Sequence, residues 1–279
     1  QPEVITLAHK RGRLDKIQAE ALEYLLQAQT PLAAAVLLDQ YNGTLSKAIK
    51  SGKHHKKLRE SARYGIALTQ PKRILILGRP NVGKSTLFNA LLGQDRAITH
   101  HLPGTTRDTI EDVLAIEEFP FVLVDTAGLR KSTNDAIEKI GMAYARKEIP
   151  KSDVIVLVID TGNHKLFIRN PGKQETFLAS LRGLSRVHDL LVKGNPCSIK
   201  SGKRADIPVI IVQNKTDLFL KMRIAEYGMQ NKIICISALK RTGIDELRKE
   251  ILKACGLNKF RYKPGRAVIF TEKQMALIH

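Results

Sequence analysis

Two periods run along the chain. Between residues 13 and 29, Leu14, Ile17, Ala21, Leu22 and Leu25 recur every three or four positions, which sets them on one face of an α-helix. Thr30-Pro31 reads as an N-cap followed by proline at the first helical position. A second helix is expected from Pro31 to about Lys50, with Gly43 as its weak point. Ser51 to Lys57 is polar and basic and reads as a hinge or a helix start, and helical spacing resumes from Glu60 to Leu68. From Arg73 onward the pattern changes to short continuous apolar runs. These are Ile74–Leu77, Phe121–Val124, Val154–Ile159, Val209–Val212 and Ile233–Ile236, with helical stretches between them. Unbroken apolar runs of this length are strands buried on both faces. Their alternation with helices predicts an α/β fold, a doubly wound and mostly parallel sheet flanked by a small α-helical segment. Ligands of such sheets bind beyond the carboxyl ends of the strands, so the residues after each run are the ones to inspect.

The stretch from Thr161 to Asp206 is long for one connection and reads as an insertion. It carries helical spacing around Gln174–Leu184 and Val187–Val192, then basic loop sequence. The expected organisation is a helical segment at 1–70, a nucleotide-binding domain at 71–255 with its insertion at about 161–206, and a return at 256–279.

Charge refines this picture. The 279 residues hold 46 Lys plus Arg against 27 Asp plus Glu, a net +19. Residues 71–160 hold 12 of each sign, so the excess lies outside the first half of the sheet. That distribution fits a polyanionic partner held by surfaces away from a nucleotide site. Three cysteines without close spacing suggest neither a disulfide framework nor a zinc site, and a reducing, cytoplasmic setting is expected. No apolar run approaches membrane-spanning length, so no membrane partner is expected. The chain opens at Gln1 without a signal-like segment, and a cropped N-terminus is one expectation.

The chemistry follows the strands. Gly78-Arg79-Pro80-Asn81-Val82-Gly83-Lys84-Ser85 fits GxxxxGK(S/T) after the first run. In that pattern backbone N–H groups cradle phosphates, Lys84 reaches the β- and γ-phosphates, and Ser85 ligates Mg²⁺. Thr86 follows in the same helix start. Asp125-Thr126-Ala127-Gly128 follows the next run, where Asp125 can hold Mg²⁺ through water and Gly128 can offer its N–H to the γ-phosphate. Asn214-Lys215-Thr216-Asp217 has NKxD spacing. The Asp217 carboxylate can accept both guanine N1–H and N2–H, a pair adenine does not offer. Ser237-Ala238 would complete the base loop. Between these lies Gly104-Thr105-Thr106-Arg107-Asp108, a candidate switch whose Thr would reach Mg²⁺ only when the γ-phosphate is present. Leu129 stands where Ras-like proteins carry a water-orienting Gln, so that task must fall elsewhere. Together the motifs predict a P-loop NTPase G domain that hydrolyses GTP.

GRPNVGKSTLFNALLG, PGTTRD, DTAGLR and NKTDL resemble the TrmE–Era–EngA–YihA–Septin branch of GTPases. RLDKIQAEALEYLLQAQT at 13–30, the approach to the phosphate loop at 61–85 and Glu138-Lys139-Ile140-Gly141 are similar to the MnmE/TrmE family of tRNA-modification GTPases. The resemblance implies a G domain inserted in a helical domain, with Val268–Gln274 as the start of the returning helix and Thr271 and Gln274 able to form a capping box. It implies K⁺ bound by Asn81, the backbone carbonyls of His100 and Leu102, and Thr105. It implies Mg²⁺ on Thr106, and Glu138 as the catalytic group that orients water, with Lys84 and Gly104 beside it in catalysis. It further implies a homodimer through the G domains in the GTP state, tRNA as a partner and an MnmG-like flavoprotein. Nothing here resembles the family's N-terminal folate-binding domain or its cysteine-bearing C-terminal motif, so the one-carbon step is not expected of these residues. Two other readings share the motifs: a ribosome-assembly GTPase of EngA or Era type acting on rRNA, and a GTP-dependent binding module with negligible turnover.

Overall fold

The structure is a computed structural model that describes residues 5–6, 9–52, 55–78, 81–93, 110–125, 147–160, 198–199, 207–218 and 233–278. Four helices open it: α1 (Lys16–Leu25), α2 (Pro31–Tyr41), α3 (Thr44–Lys50) and α4 (His55–Thr69). Asp15 caps α1 through a box in which Gln18 answers with its own side chain, at 2.8 and 3.0 Å. Thr30 caps α2 by accepting from Ala33 N–H, with Pro31 at the first position. The single helix expected from Pro31 to Lys50 is two. Gly43, with φ 86°, leaves helical dihedrals and starts α3. The basic stretch before residue 60 is a helix start, since α4 opens at His55.

The remainder is α/β, as expected. The elements are β1 (Lys72–Gly78), α5 (Lys84–Leu92), β2 (Ile110–Ile116), β3 (Phe119–Asp125), β4 (Val154–Asp160), β5 (Ser198–Ile199), β6 (Ile207–Asn214), β7 (Ile233–Cys235) and α6 (Ile244–Ala254). The four-residue α7 (Glu272–Met275) follows near the end. Seven strands among the described residues form one sheet in the order β2-β3-β1-β4-β6-β5, with β7 also on β6. β3, β1, β4, β6 and β7 are mutually parallel, and the apolar runs account for all five. β2 and β5 are antiparallel additions that the pattern did not announce. Ile-Glu-Asp-Val-Leu-Ala-Ile mixes charge into an edge strand, which needs burial on only one face. Arg73 on β1 holds that edge. Its guanidinium bonds both carboxylate oxygens of Glu111 on β2, at 2.7 and 3.2 Å, and also reaches the buried Glu148. The Glu111 hydrogen bond is the main reason the Arg73 pKa is raised further. The helices expected at 174–192 lie outside the described residues.

One apolar core runs from the sheet into the opening helices. Ile74, Val156 and Val212 belong to the same cluster as Val36, Tyr64, Leu68, Phe260 and Val268. Tyr64 of α4 stacks on Phe260 at 4.7 Å, and Phe119, at the start of β3, meets the same ring edge-on at 5.8 Å. A second cluster joins Ala21, Leu37, Leu45, Leu58 and Ala62 to Ile269, Phe270 and Ile278. The returning chain therefore completes the core of the opening helices. Gly65 permits this closeness, since a Cβ there would overlap the Ile269 carbonyl. Gln40, fully buried, donates to the Arg266 carbonyl at 3.2 Å and accepts from Val268 N–H at 3.1 Å. The capping box expected at Thr271 does not form. Thr271 makes no side-chain cap bond, and Gln274 instead accepts from Phe270 N–H and donates to Glu20. Gln274 thereby ties the residue before its own helix start to α1.

Candidate nucleotide-binding site

The parallel strands end along one edge of the sheet. Gly78 lies beside Val158, Asp125 beside Ile76, Asn214 beside Asp160, and Cys235 beside Gln213. Four segments distant in sequence thus emerge at neighbouring strand ends, because parallel strands share one direction. Asn81, Val82, Gly83, Lys84, Ser85 and Thr86 lead from β1 into α5, whose N-terminus faces this edge. Lys84 is 9% exposed and Asp125 4% exposed, while Asn81 and Thr86 are exposed. A helix start that carries a buried lysine is suited to phosphate. Asp125 ends the strand next to β1, where its oxygens and the Ser85 hydroxyl are the hard donors a Mg²⁺ ion requires.

Asn214 does more here than its spacing suggested. Its Nδ2 donates to the Val82 carbonyl at 2.9 Å, and its Oδ1 accepts from Ala238 N–H at 2.9 Å. The side chain is 1% exposed, so both bonds are made away from water, where each counts most. One amide therefore fastens the phosphate loop to the base loop. Gly83, with φ 92°, leaves the room, since a Cβ there would strike Asn214 Nδ2. Lys215, also at positive φ, lays its Nζ on the Asn81 carbonyl at 2.6 Å, a second tie between the same loops.

Asp217 is set by Ser237, whose hydroxyl donates to Asp217 Oδ1 at 2.5 Å. The same hydroxyl accepts from Lys240 N–H at 3.1 Å. Ser237 and Thr242 exchange both backbone hydrogen bonds at 3.1 Å, which closes the loop into a small ring. The Ser237 bond is the main reason the Asp217 carboxyl sits below its ordinary pKa, with its own backbone N–H and Lys240 adding to it. The result is an ionised carboxylate, oriented and partly exposed, with lone pairs remaining for two parallel N–H donors.

Of the residues singled out from the sequence, Gly78, Asn81–Thr86, Asp125, Asn214, Lys215, Asp217, Ser237 and Ala238 come to this edge. His100, Leu102, Gly104, Thr105, Thr106, Gly128 and Glu138 lie outside the described residues. Sequence reading missed the Lys240–Thr242 turn and the structural duty of Asn214. The available signal for the latter was a polar residue ending an apolar strand. Among the described residues no cluster of three His, Cys, Asp or Glu could hold a metal, and no helix is long and apolar enough to cross a membrane.

Comparison with known proteins agrees with this geometry. Residues 73–215, about half the chain, match the family described as 50S ribosome-binding GTPase. The tRNA modification GTPase MnmE of Aquifex aeolicus is 34% identical, over 90% of this chain and 58% of that protein. The MnmE of Clostridioides difficile is 32% identical, over 88% of this chain and 56% of that one. The chain spans little more than half the length of these curated relatives. Aquifex aeolicus Era, in a crystal structure bound to GDP and AlF₄⁻, is 28% identical, covers 65% of this chain and 56% of that one, and has a TM-score of 0.42. With its phosphate loop, buried lysine and carboxylate-bearing base loop on one sheet edge, the chain belongs to the 50S ribosome-binding GTPase family.

Proposed function

We propose that the protein is a GTP-hydrolysing molecular switch of MnmE type that acts in the modification of wobble uridines in tRNA. The observation that carries this reading is the shared core of residues flanking the sheet. Ile269 and Phe270 complete the packing of α1 to α4, so a G domain at 71–255 interrupts one helical unit made of 1–70 and 256–279. Motion at the nucleotide can reach that unit along β3, whose far end holds the Phe119–Phe260–Tyr64 contacts. The curated relatives above are tRNA modification GTPases and match nearly the whole chain, which supports the same reading.

In this reading Asp217 selects guanine, with Ser237 and Ala238 shaping the loop and Asn214 and Lys215 positioning it. Lys84 and the backbone of Gly78–Ser85 hold the phosphates. Ser85, Thr106 and Asp125 would hold Mg²⁺, which neutralises phosphate charge. Asn81, His100, Leu102 and Thr105 would hold K⁺, a positive charge in place of an arginine finger. Glu138 orients the attacking water, and Gly104 and Gly128 offer backbone N–H groups to the phosphate. Two G domains pair in the GTP state, the setting is cytoplasmic, and an MnmG-like flavoprotein is the partner enzyme.

The test is GTP turnover in K⁺ and in Na⁺ for the parent and Glu138→Ala. Stimulation by K⁺ and a loss of about a hundredfold in the variant are expected. No stimulation and no loss would overturn the mechanism and leave a binding module. The family description favours one other reading, a ribosome-assembly factor. Crosslinking in cells separates the two: tRNA anticodon arms support the modification reading, and ribosomal RNA replaces it with assembly.

A further inference from the structure

We propose that the segment from Lys259 to Arg266 is a docking surface for the phosphate backbone of RNA, separate from the nucleotide site. It has the sequence Lys-Phe-Arg-Tyr-Lys-Pro-Gly-Arg, and no acidic residue lies between Glu250 and Glu272. The structure sorts these residues into two sets. The aromatic rings turn inward. Phe260 is 6% exposed and stacked on Tyr64, and the Tyr262 hydroxyl bonds Asp39 Oδ2 at 2.5 Å and the Ala35 carbonyl at 3.1 Å. The cations turn outward. Lys259, Arg261, Lys263 and Arg266 are all exposed.

Among the described residues, no carboxylate forms an ion pair with them. Within the same residues, Arg261 bonds the carbonyls of Asn258 and Phe260, and Arg266 bonds the Arg261 carbonyl and lies over the Phe260 ring at 5.9 Å. Arg63 of α4 adds a fifth exposed cation, 4.7 Å over the Tyr64 ring. Among the described residues, none of the five forms an ion pair. Asp39, the carboxylate in contact with the segment, is occupied by the Tyr262 hydroxyl and by Gly265 N–H at 2.6 Å.

The segment is also held in shape. Its two ends are fixed by the buried Phe260 and by the Gln40–Arg266 and Gln40–Val268 bonds, and its middle by Asp39. A backbone already held in place lowers the ordering entropy lost when its cations bind. The occupant follows from what faces out. A protein interface needs aromatic or aliphatic anchors at its centre, and a membrane surface needs apolar side chains to insert. Here Phe260 is buried and Tyr262 half-buried, and the exposed side chains of the segment are its four cations and Pro264. A row of unpaired guanidinium and ammonium groups meets a regular polyanion best. The choice of RNA rests on the tRNA-directed reading above; the phosphate chemistry does not.

The test compares two variants of equal charge change in the 279-residue protein. K259E/K263E alters side chains with no ion-pair partner among the described residues, and K16E/K249E alters exposed lysines on α1 and α6. Labelled bulk tRNA is titrated at several salt concentrations. In K259E/K263E, affinity should fall about tenfold or more and the slope of log affinity on log salt should shrink by about 2. K16E/K249E should stay near the parent. An equal loss in both variants would overturn the proposal in favour of diffuse charge. Parent binding to polyglutamate as tight as to tRNA would overturn it in favour of an acidic protein, and no tRNA binding by the parent would also overturn it. GTP turnover and melting temperature of K259E/K263E should match the parent, so a failed switch reading and a failed docking surface give different results.

Discussion

Two aspartates do related work in different places. In the base loop, Asp217 accepts the Ser237 hydroxyl on Oδ1. At the junction of α2 with the returning chain, Asp39 accepts the Tyr262 hydroxyl and Gly265 N–H, both on Oδ2. Each carboxylate pins a chain segment that arrives from elsewhere in the sequence. The first bond spans 20 positions and the second 223. Asp217 remains partly exposed, with acceptor capacity aimed out of the protein. Asp39 serves the fold, and its tyrosine shows the effect. Burial first, and the Asp39 contact second, raise the Tyr262 pKa well above the ordinary phenol value. The same hydroxyl–carboxylate bond therefore supports recognition in one region and attachment in the other, according to what the second carboxylate oxygen and its surroundings are left to do.

Asp217→Asn should give the largest effect. Replacing an oriented charged acceptor by an amide should weaken GTP about a hundredfold, while the melting temperature moves little. Xanthosine triphosphate, whose ring offers a carbonyl to the new amide, should gain in the same nucleotide titration. Asp39→Ala should do the reverse. Losing the acceptor of Tyr262 and Gly265 should cost about 2–3 kcal/mol in denaturant unfolding and leave GTP affinity within about twofold. If the Asp39 variant loses GTP as strongly as the Asp217 variant, the two regions are not separable.

Tyr262→Phe should cost about 1 kcal/mol, since Asp39 keeps Gly265 N–H. Its pH signature is more specific. A phenol pKa raised by folding contributes stability that is fully present below the unfolded value of about 10 and is lost as pH rises toward the folded value. The parent should therefore weaken more steeply than Tyr262→Phe in unfolding experiments above about pH 10. Ser237→Ala should have the smallest effect. It removes the main cause of the lowered Asp217 pKa, so the carboxyl should titrate at higher pH by NMR. The lowered pKa contributes stability that is present above the unfolded value and is lost as pH falls through the folded value, so this acid-side loss should be smaller in the variant.

The sheet was legible because buried parallel strands need apolar residues on both faces, and the five runs say so directly. The phosphate loop and NKxD were legible because phosphate and guanine each demand particular groups at fixed spacing. β2 was not, since an edge strand tolerates Glu111 and Asp112, which Arg73 then uses. The break at Gly43 was read only as a weakness, because a glycine's cost in a helix does not say whether packing overrides it. Asn214 reads from its spacing as part of a base motif, and its amide also ties Val82 to Ala238. The Asp39–Tyr262 bond left no trace at all. Nothing local in either residue marks a partner 223 positions away, and only the completed core brings the two together.

That separation has a consequence for synthesis. The apolar faces of α2 and α4 leave the ribosome with residue 69, but Ile269 and Phe270, which cover them, follow about 200 residues later. At ordinary translation rates of 5–20 residues per second, the wait is about 10–40 s. During it the sheet must fold and bring its two ends side by side, because only then is the returning segment delivered to Gly65 and Gln40. The opening helices thus pass a long interval as an unfinished surface, and a slow-folding sheet lengthens the time they stand exposed to aggregation.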